Sequence, residues 1–456
     1  MSVPPSHSPG TYFSDASVTP THSILPSSPM PYVDLVSRDD YVSIWYTTNS
    51  RHNCVSTFDP TKPTIILLHP FSLDSSWLGH TLGNPRLNED YNMIAFDLRF
   101  SGKTIERPNA RLDCWVQAAD LAFACEALHV SRAHLWAEET ISVNIALRFA
   151  MLFPEMCLSL ALVTVSSPSE RRQDISLALD QAIRLWCFAE DLDTLNHAAT
   201  RFLELTAGAD LDIDEIHQIV AFWQTRYPPL RHTRIYGIKN SILNVRLLGL
   251  SSLSNTEASK HVPLTKSQLA TIYQPVLILH VCILHLNGYH SANGLKGENN
   301  PTHPLKYAQQ LREDLVNSKA MLSVIKGAAG FMGIISSSAP ALHQIYVDFL
   351  GGLPSPPSDP TDPDCMRRAL GRLAELAADP SIASRSLKSP MSFSLVSYGV
   401  GQSKDLNVLM QETNTEFSLF PPDRRSLAER KFFERTKGLF HRRSDSRLHI
   451  REGSLP

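Results

Sequence analysis

The stretch His134-Leu-Trp-Ala-Glu-Glu-Thr-Ile-Ser-Val-Asn-Ile-Ala-Leu-Arg-Phe-Ala150 changes period halfway through. An apolar run ends at Ala137, two carboxylates follow, and then Ile141, Ile145 and Phe149 recur at helical spacing. The pattern reads as a strand, a sharp turn and a helix, with Glu139 at the turn. A carboxylate there also sits at a helix N-terminus, where negative charge is stabilised.

Similar runs recur on both sides. Thr64-Ile-Ile-Leu-Leu68, Met93-Ile-Ala-Phe96, Leu158 to Val165, Val276-Leu-Ile-Leu279 and Met321-Leu-Ser-Val-Ile325 are continuously apolar, as strands buried on both faces of a parallel sheet are. Helical patterns fill the gaps: Cys114 to Leu128, Ser142 to Phe153, Leu305 to Val316 and Ala339 to Leu350. Strand and helix alternate, which predicts a doubly wound, mainly parallel α/β sheet. Before it, Tyr32 to Val36 and Tyr41 to Tyr46 alternate at period two and predict a hairpin.

One crossover, from Val165 to Val276, far exceeds the usual dozen or so residues. It reads mostly as helix: Ser176 to Phe188, Leu192 to Leu205 and Ile213 to Trp223. The expected organisation is a disordered Ser/Pro-rich leader (1–31), an α/β core (32–167 and 273–351) and an inserted helical cap (168–272). A Pro-rich linker and low-complexity, partly helical tail (352–456) follow.

Composition narrows the function classes. A formal net charge of -3 argues against nucleic acid as a general partner. The seven cysteines show no C-x-x-C spacing and several lie in apolar runs, as packed thiols of a cytoplasmic protein do, with the nucleus as the other setting. No transmembrane segment and no secretory signal are expected. The basic stretch 424–443, with Phe432, Phe433 and Phe440 interleaved, reads first as a solvated tail and second as a weak membrane or protein contact.

Together with the long helical insertion, four segments in order carry a resemblance: Leu67-Leu-His-Pro-Phe71, Phe96-Asp-Leu-Arg-Phe-Ser-Gly-Lys-Thr104, the 134–150 stretch, and Ala146 to Glu155. They resemble the capped α/β-hydrolases, the superfamily of esterases, lactonases and epoxide hydrolases. The resemblance covers roughly residues 31–350 and implies hydrolysis of ester, lactone or epoxide bonds.

The departures from the family pattern fall on the chemistry. The elbow motif G-x-S-x-G becomes Ala137, Glu139 and Ile141. A carboxylate is a usable nucleophile, although Glu is one methylene longer than the Asp of epoxide hydrolases. The other reading of Glu139 is a polar residue on an ordinary strand-to-helix turn. The base position after the last strand is Gly330, which cannot carry a proton. The acid position after the Val276 strand is Leu284, and Glu170, after the preceding strand, is the alternative acid. Ser142, three residues past Glu139, is the displaced-nucleophile candidate.

On the oxyanion side the pattern is His69, Pro70 and Phe71, with the Phe71 N–H as the expected donor and His69 as a packed histidine. Phe100 stands where the family has glycine, and the chain holds 20 glycines. At about 4% this is below the usual 7% and predicts loss of the special turns. Asp97 and Arg99 read as a buried pair holding a loop. His280, His285 and His290 lack an accompanying carboxylate, so no metal and no cofactor are expected.

The resulting expectation is a degenerate superfamily member that binds a small apolar ligand between core and cap, or a protein partner. The alternative is a hydrolase with a rearranged site. Trp186 and Phe222 are the cap aromatics expected to matter if they face the cavity.

Overall fold

In the computed structural model the described residues are 31–396, apart from 39, 71, 108, 110, 166–177, 180, 184, 187–188, 190, 208–210, 228–263, 283–302, 327–333, 335–338 and 355–363. The leader and the 424–443 stretch lie outside them.

One sheet organises the chain. Its strands are β1 (Tyr32–Val36), β2 (Tyr41–Thr48), β3 (Thr64–Leu68), β4 (Asn92–Phe96), β5 (Ile105–Glu106), β6 (Ala133–Glu138), β7 (Cys157–Val163), β8 (Val276–Cys282) and β9 (Ala320–Lys326). The order is β1-β2-β4-β3-β6-β7-β8-β9, with β5 on β2. The β1–β2 and β2–β4 pairs are antiparallel and every pair from β4 to β9 is parallel. All five apolar runs predicted as buried strands lie in this sheet. Residues 64–68, 92–96 and 133–138 are buried throughout, as strands covered on both faces must be.

Helices Cys114–Ala127 and Glu139–Leu152 pack on each other; the first also packs on β1 and the second on β6 and β7. Asp113 caps the first by accepting from the Val116 N–H at 2.9 Å. Between β7 and β8 lie helices Leu192–Ala207 and Ile213–Arg226. The second opens with a capping box in which Asp212 and Glu215 satisfy each other's backbone donors. Strand order reverses around β3, β4 and β6, so the crevice beyond their C-terminal ends is where ligands bind in such sheets.

Structured chain extends past the expected start of the tail. Helix Cys365–Ala377 is followed by short 3-10 turns at Pro380–Ser384 and Pro390–Phe393. Arg372 donates to the Leu152 carbonyl and pairs with Glu155 at 2.9 Å. Phe393 is buried between Phe123 and Phe153. Residues 394–395 also reach the core: the Ser394 hydroxyl donates to the Arg111 carbonyl and the Leu395 N–H to the Asp113 carboxylate.

Candidate functional site

The elbow is built on β6. Its strand runs straight into helix Glu139–Leu152 with one residue between regimes, and that residue, Glu139, has φ +69°. A left-handed glutamate costs about 1–2 kcal/mol of backbone energy. The turn is thus strained at the residue that joins strand and helix. Glu138 and Glu139 are both buried. The Trp136 indole N–H donates to Glu138 Oε1 at 2.8 Å, and Trp136 is held in turn by an edge contact with Tyr346.

Two hydrogen bonds fix the surroundings. Ser142 Oγ donates to the His69 carbonyl at 2.6 Å, tying the elbow helix to the end of β3, and Ser142 is fully buried. As a nucleophile candidate it is thus a hydroxyl already engaged with backbone. Thr140 Oγ1 and His303 Nε2 lie 3.1 Å apart, both buried. His303 precedes helix Leu305–Asp314, in the connection after β8. The sequence reading passed over it; its only signal there was its place at the end of that connection.

His69 is fully buried. Its Nε2 accepts from the Leu98 N–H at 3.1 Å, which puts the ring proton on Nδ1, 2.8 Å from the Pro70 carbonyl. Phe71, Leu284, Gly330, Glu170, His285 and His290 lie outside the described residues. His280 is buried on β8, its Nδ1 has no hydrogen-bond partner among the described residues, and burial depresses its pKa to about 4.

The turn after β4 departs from expectation in two ways. Asp97 and Arg99 do not pair with each other. Arg99 binds Asp40 at 2.9 Å and Asp120 at 2.7 Å, all three buried, and so locks the β2 entry to helix Cys114–Ala127. Asp97 instead accepts from the backbone N–H groups of Ser75 at 2.8 Å and Lys103 at 2.7 Å, and burial holds its carboxyl above the usual range. Low glycine content also does not remove the special turns. Ser72, Phe100 and Glu139 all have φ between +66° and +69° without being glycine. The backbone geometry is kept and its strain is carried by ordinary residues.

The insertion helix Ile213–Arg226 comes down on this end of the sheet. Trp223 Nε1 donates to the Ser72 carbonyl at 2.8 Å, and Phe222 meets Trp77 edge-on at 5.4 Å. Trp186 packs inside the insertion against Phe202 and Trp223 and is buried, so it is a packing residue there.

The fold has counterparts among solved structures. A thermophilic esterase from Thermogutta terrifontis superposes with a TM-score of 0.50 at 14% identity, over 70% of this chain and 98% of that one. The chain has the α/β-hydrolase fold. An enol-lactonase from Burkholderia xenovorans (16% identity, TM-score 0.48) and a bromoperoxidase from Bacillus anthracis (14%, 0.48) align over 70% of this chain and 100% and 99% of theirs. No family model and no curated protein matches the sequence. No helix among the described residues is long and apolar enough to cross a membrane.

Proposed function

We propose that this α/β-hydrolase-fold protein binds a small apolar molecule between its sheet and a helical cap (168–272), without conventional Ser-His-Asp hydrolysis. The carrying observation is the elbow. Its strained backbone persists, yet it presents Glu139, and the base position is Gly330. Such a pocket gains affinity mainly from apolar area, at roughly 25 cal/mol per Å² removed from water. A cytoplasmic or nuclear setting fits thiols such as Cys114 and Cys125, free and pushed by burial up to about 12. The test is thermal shift with a panel of lactones, esters and terpenoid-like compounds. A ligand at 100 times its dissociation constant stabilises the fold by about 2.7 kcal/mol. If no compound raises the melting temperature, the pocket reading fails and an interaction role through 424–443 takes its place.

A second reading is favoured by the buried Thr140–His303 contact beside Glu139. In it, Glu139 attacks an epoxide carbon as the ring C–O bond breaks, and the released oxygen takes a proton from water. A second water gives a proton to His303 and attacks the resulting ester carbonyl. The C–O bond to the diol breaks and the departing oxygen takes the proton back from His303. The Glu139 carboxylic acid loses its proton to the hydroxide left by the first step. Incubation with 4-nitrophenyl glycidyl ether tests it. A mass adduct on the Glu139 peptide that accumulates in His303→Gln and turns over in the native protein supports this chemistry; no adduct in either protein eliminates it.

A further inference from the structure

Ser72, in the turn after β3, is buried and has φ +66°. That conformation suits glycine and is strained for serine. The turn is gripped from two sides. From the core, Asp97 Oδ1 accepts the Ser75 N–H at 2.8 Å. From the insertion, the Trp223 indole N–H donates to the Ser72 carbonyl at 2.8 Å.

The indole has little freedom to turn away. Trp223 is fully buried, and its ring lies 5.3 Å from Trp186 and 5.4 Å from Phe202. Trp186 spends its own N–H on the Tyr227 carbonyl at the end of the same helix, at 2.9 Å. One residue before Trp223, Phe222 rests on Trp77 of the gripped loop. The insertion's aromatic core therefore aims one donor at one strained peptide.

We propose that Trp223 is a positioning residue: seated on Ser72, it holds the left-handed turn that forms the β3 side of the pocket. This rests on the reading of a pocket between sheet and cap. Its consequence is coupling. Displacing helix Ile213–Arg226 releases the turn, and a ligand that seats the helix fixes it. Serine at this φ stores strain that the hydrogen bond opposes, so the bond and the residue type must be read together.

Hydrogen exchange on the full chain without ligand tests this and is independent of whether any compound binds. The reporters are the amides of Leu73, Ser75, Ser76 and Trp77, bonded to Pro70, Asp97, Asp74 and Asp74 respectively. W223F keeps an aromatic ring and loses the donor. It is expected to speed exchange across 73–78 at least about fivefold, the factor one ordinary hydrogen bond is worth, while 64–68 and 139–152 stay unchanged. S72G in the same chain should restore protection, because glycine adopts the turn without strain. Unchanged exchange in W223F overturns the proposal, as does a rise spread evenly over 192–226 that S72G does not reverse. If W223F does not fold, folding of the S72G/W223F double variant supports the proposal, and its failure to fold overturns it.

Discussion

The turns after β4 and after β6 each hold a left-handed residue, Phe100 and Glu139, in different surroundings. After β4 the motif side chains remain and each holds structure: Asp97 binds two loop amides, Arg99 binds two carboxylates, and Thr104 donates to the Asp97 carbonyl. After β6 the left-handed residue is Glu139, and the following hydroxyls are engaged with His303 and the His69 carbonyl. In the first turn polar side chains hold the backbone; in the second the strained residue is itself a buried carboxylate.

Acid should produce the largest effect, and on the β6 side. His134 at the base of β6, His343 beside Trp136 and His280 on β8 are each depressed by burial to about 4. Unfolded, they bind protons below their ordinary 6.5. Their contribution is complete above that pH and is lost as pH falls toward 4, at about 1.4 kcal/mol per unit each. Asp113 works the other way: burial raises it to about 6, so its contribution is present below 3.8 and lost as pH rises through 6. Asp97, also raised by burial, opposes the histidines in the same direction as Asp113, so the net expectation is a loss of about 1–3 kcal/mol per unit as pH falls from 6 toward 4. Urea unfolding at several pH values measures it, and His134→Gln should reduce the slope by about 1.4 kcal/mol per unit. A flat profile in the native protein would mean these rings are charged in the fold.

Gly102→Ala breaks the β4 turn directly. A Cβ there would lie 2.0 Å from Asp97 Oδ2 and 2.8 Å from Asp74 Cβ, at φ +50°. Overpacking and left-handed strain together should cost about 3 kcal/mol or more, read as a lowered denaturation midpoint. Two residues earlier, Phe100 tolerates φ +66° with its side chain buried. Space for the Cβ, rather than the angle, decides which of these positions must be glycine.

A smaller effect sharpens the same point. Phe100→Ala and Phe100→Gly both lose the buried ring, but the glycine variant also sheds the strain. It should be the more stable of the two by about 1 kcal/mol, the reverse of the usual order. Glu139→Gly against Glu139→Ala should show the same sign. Alanine as the more stable variant at both positions would show that neither turn is strained.

Much of the fold was legible in the sequence because strands covered on both faces must be continuously apolar, as 64–68 and 92–96 are. The motif segments located both turns. The left-handed angles were not legible, since φ is set by surrounding structure and Ser72, Phe100 and Glu139 carry no glycine to announce it. Arg99 was read with its sequence neighbour Asp97, whereas its partners Asp40 and Asp120 come from other elements. Contacts such as Thr140 to His303 and Trp223 to Ser72 join residues over 150 positions apart, and only the assembled chain brings them together.

The central proposal is an α/β-hydrolase fold that does not hydrolyse esters. Turnover of a short-chain 4-nitrophenyl ester by the purified full chain tests it most directly. The account predicts a rate no higher than that of an unrelated protein surface, unchanged in Glu139→Ala and Ser142→Ala, because position 330 offers no proton acceptor. A turnover number of about 1 per second or more, in the ordinary enzyme range, that disappears in either variant would contradict it.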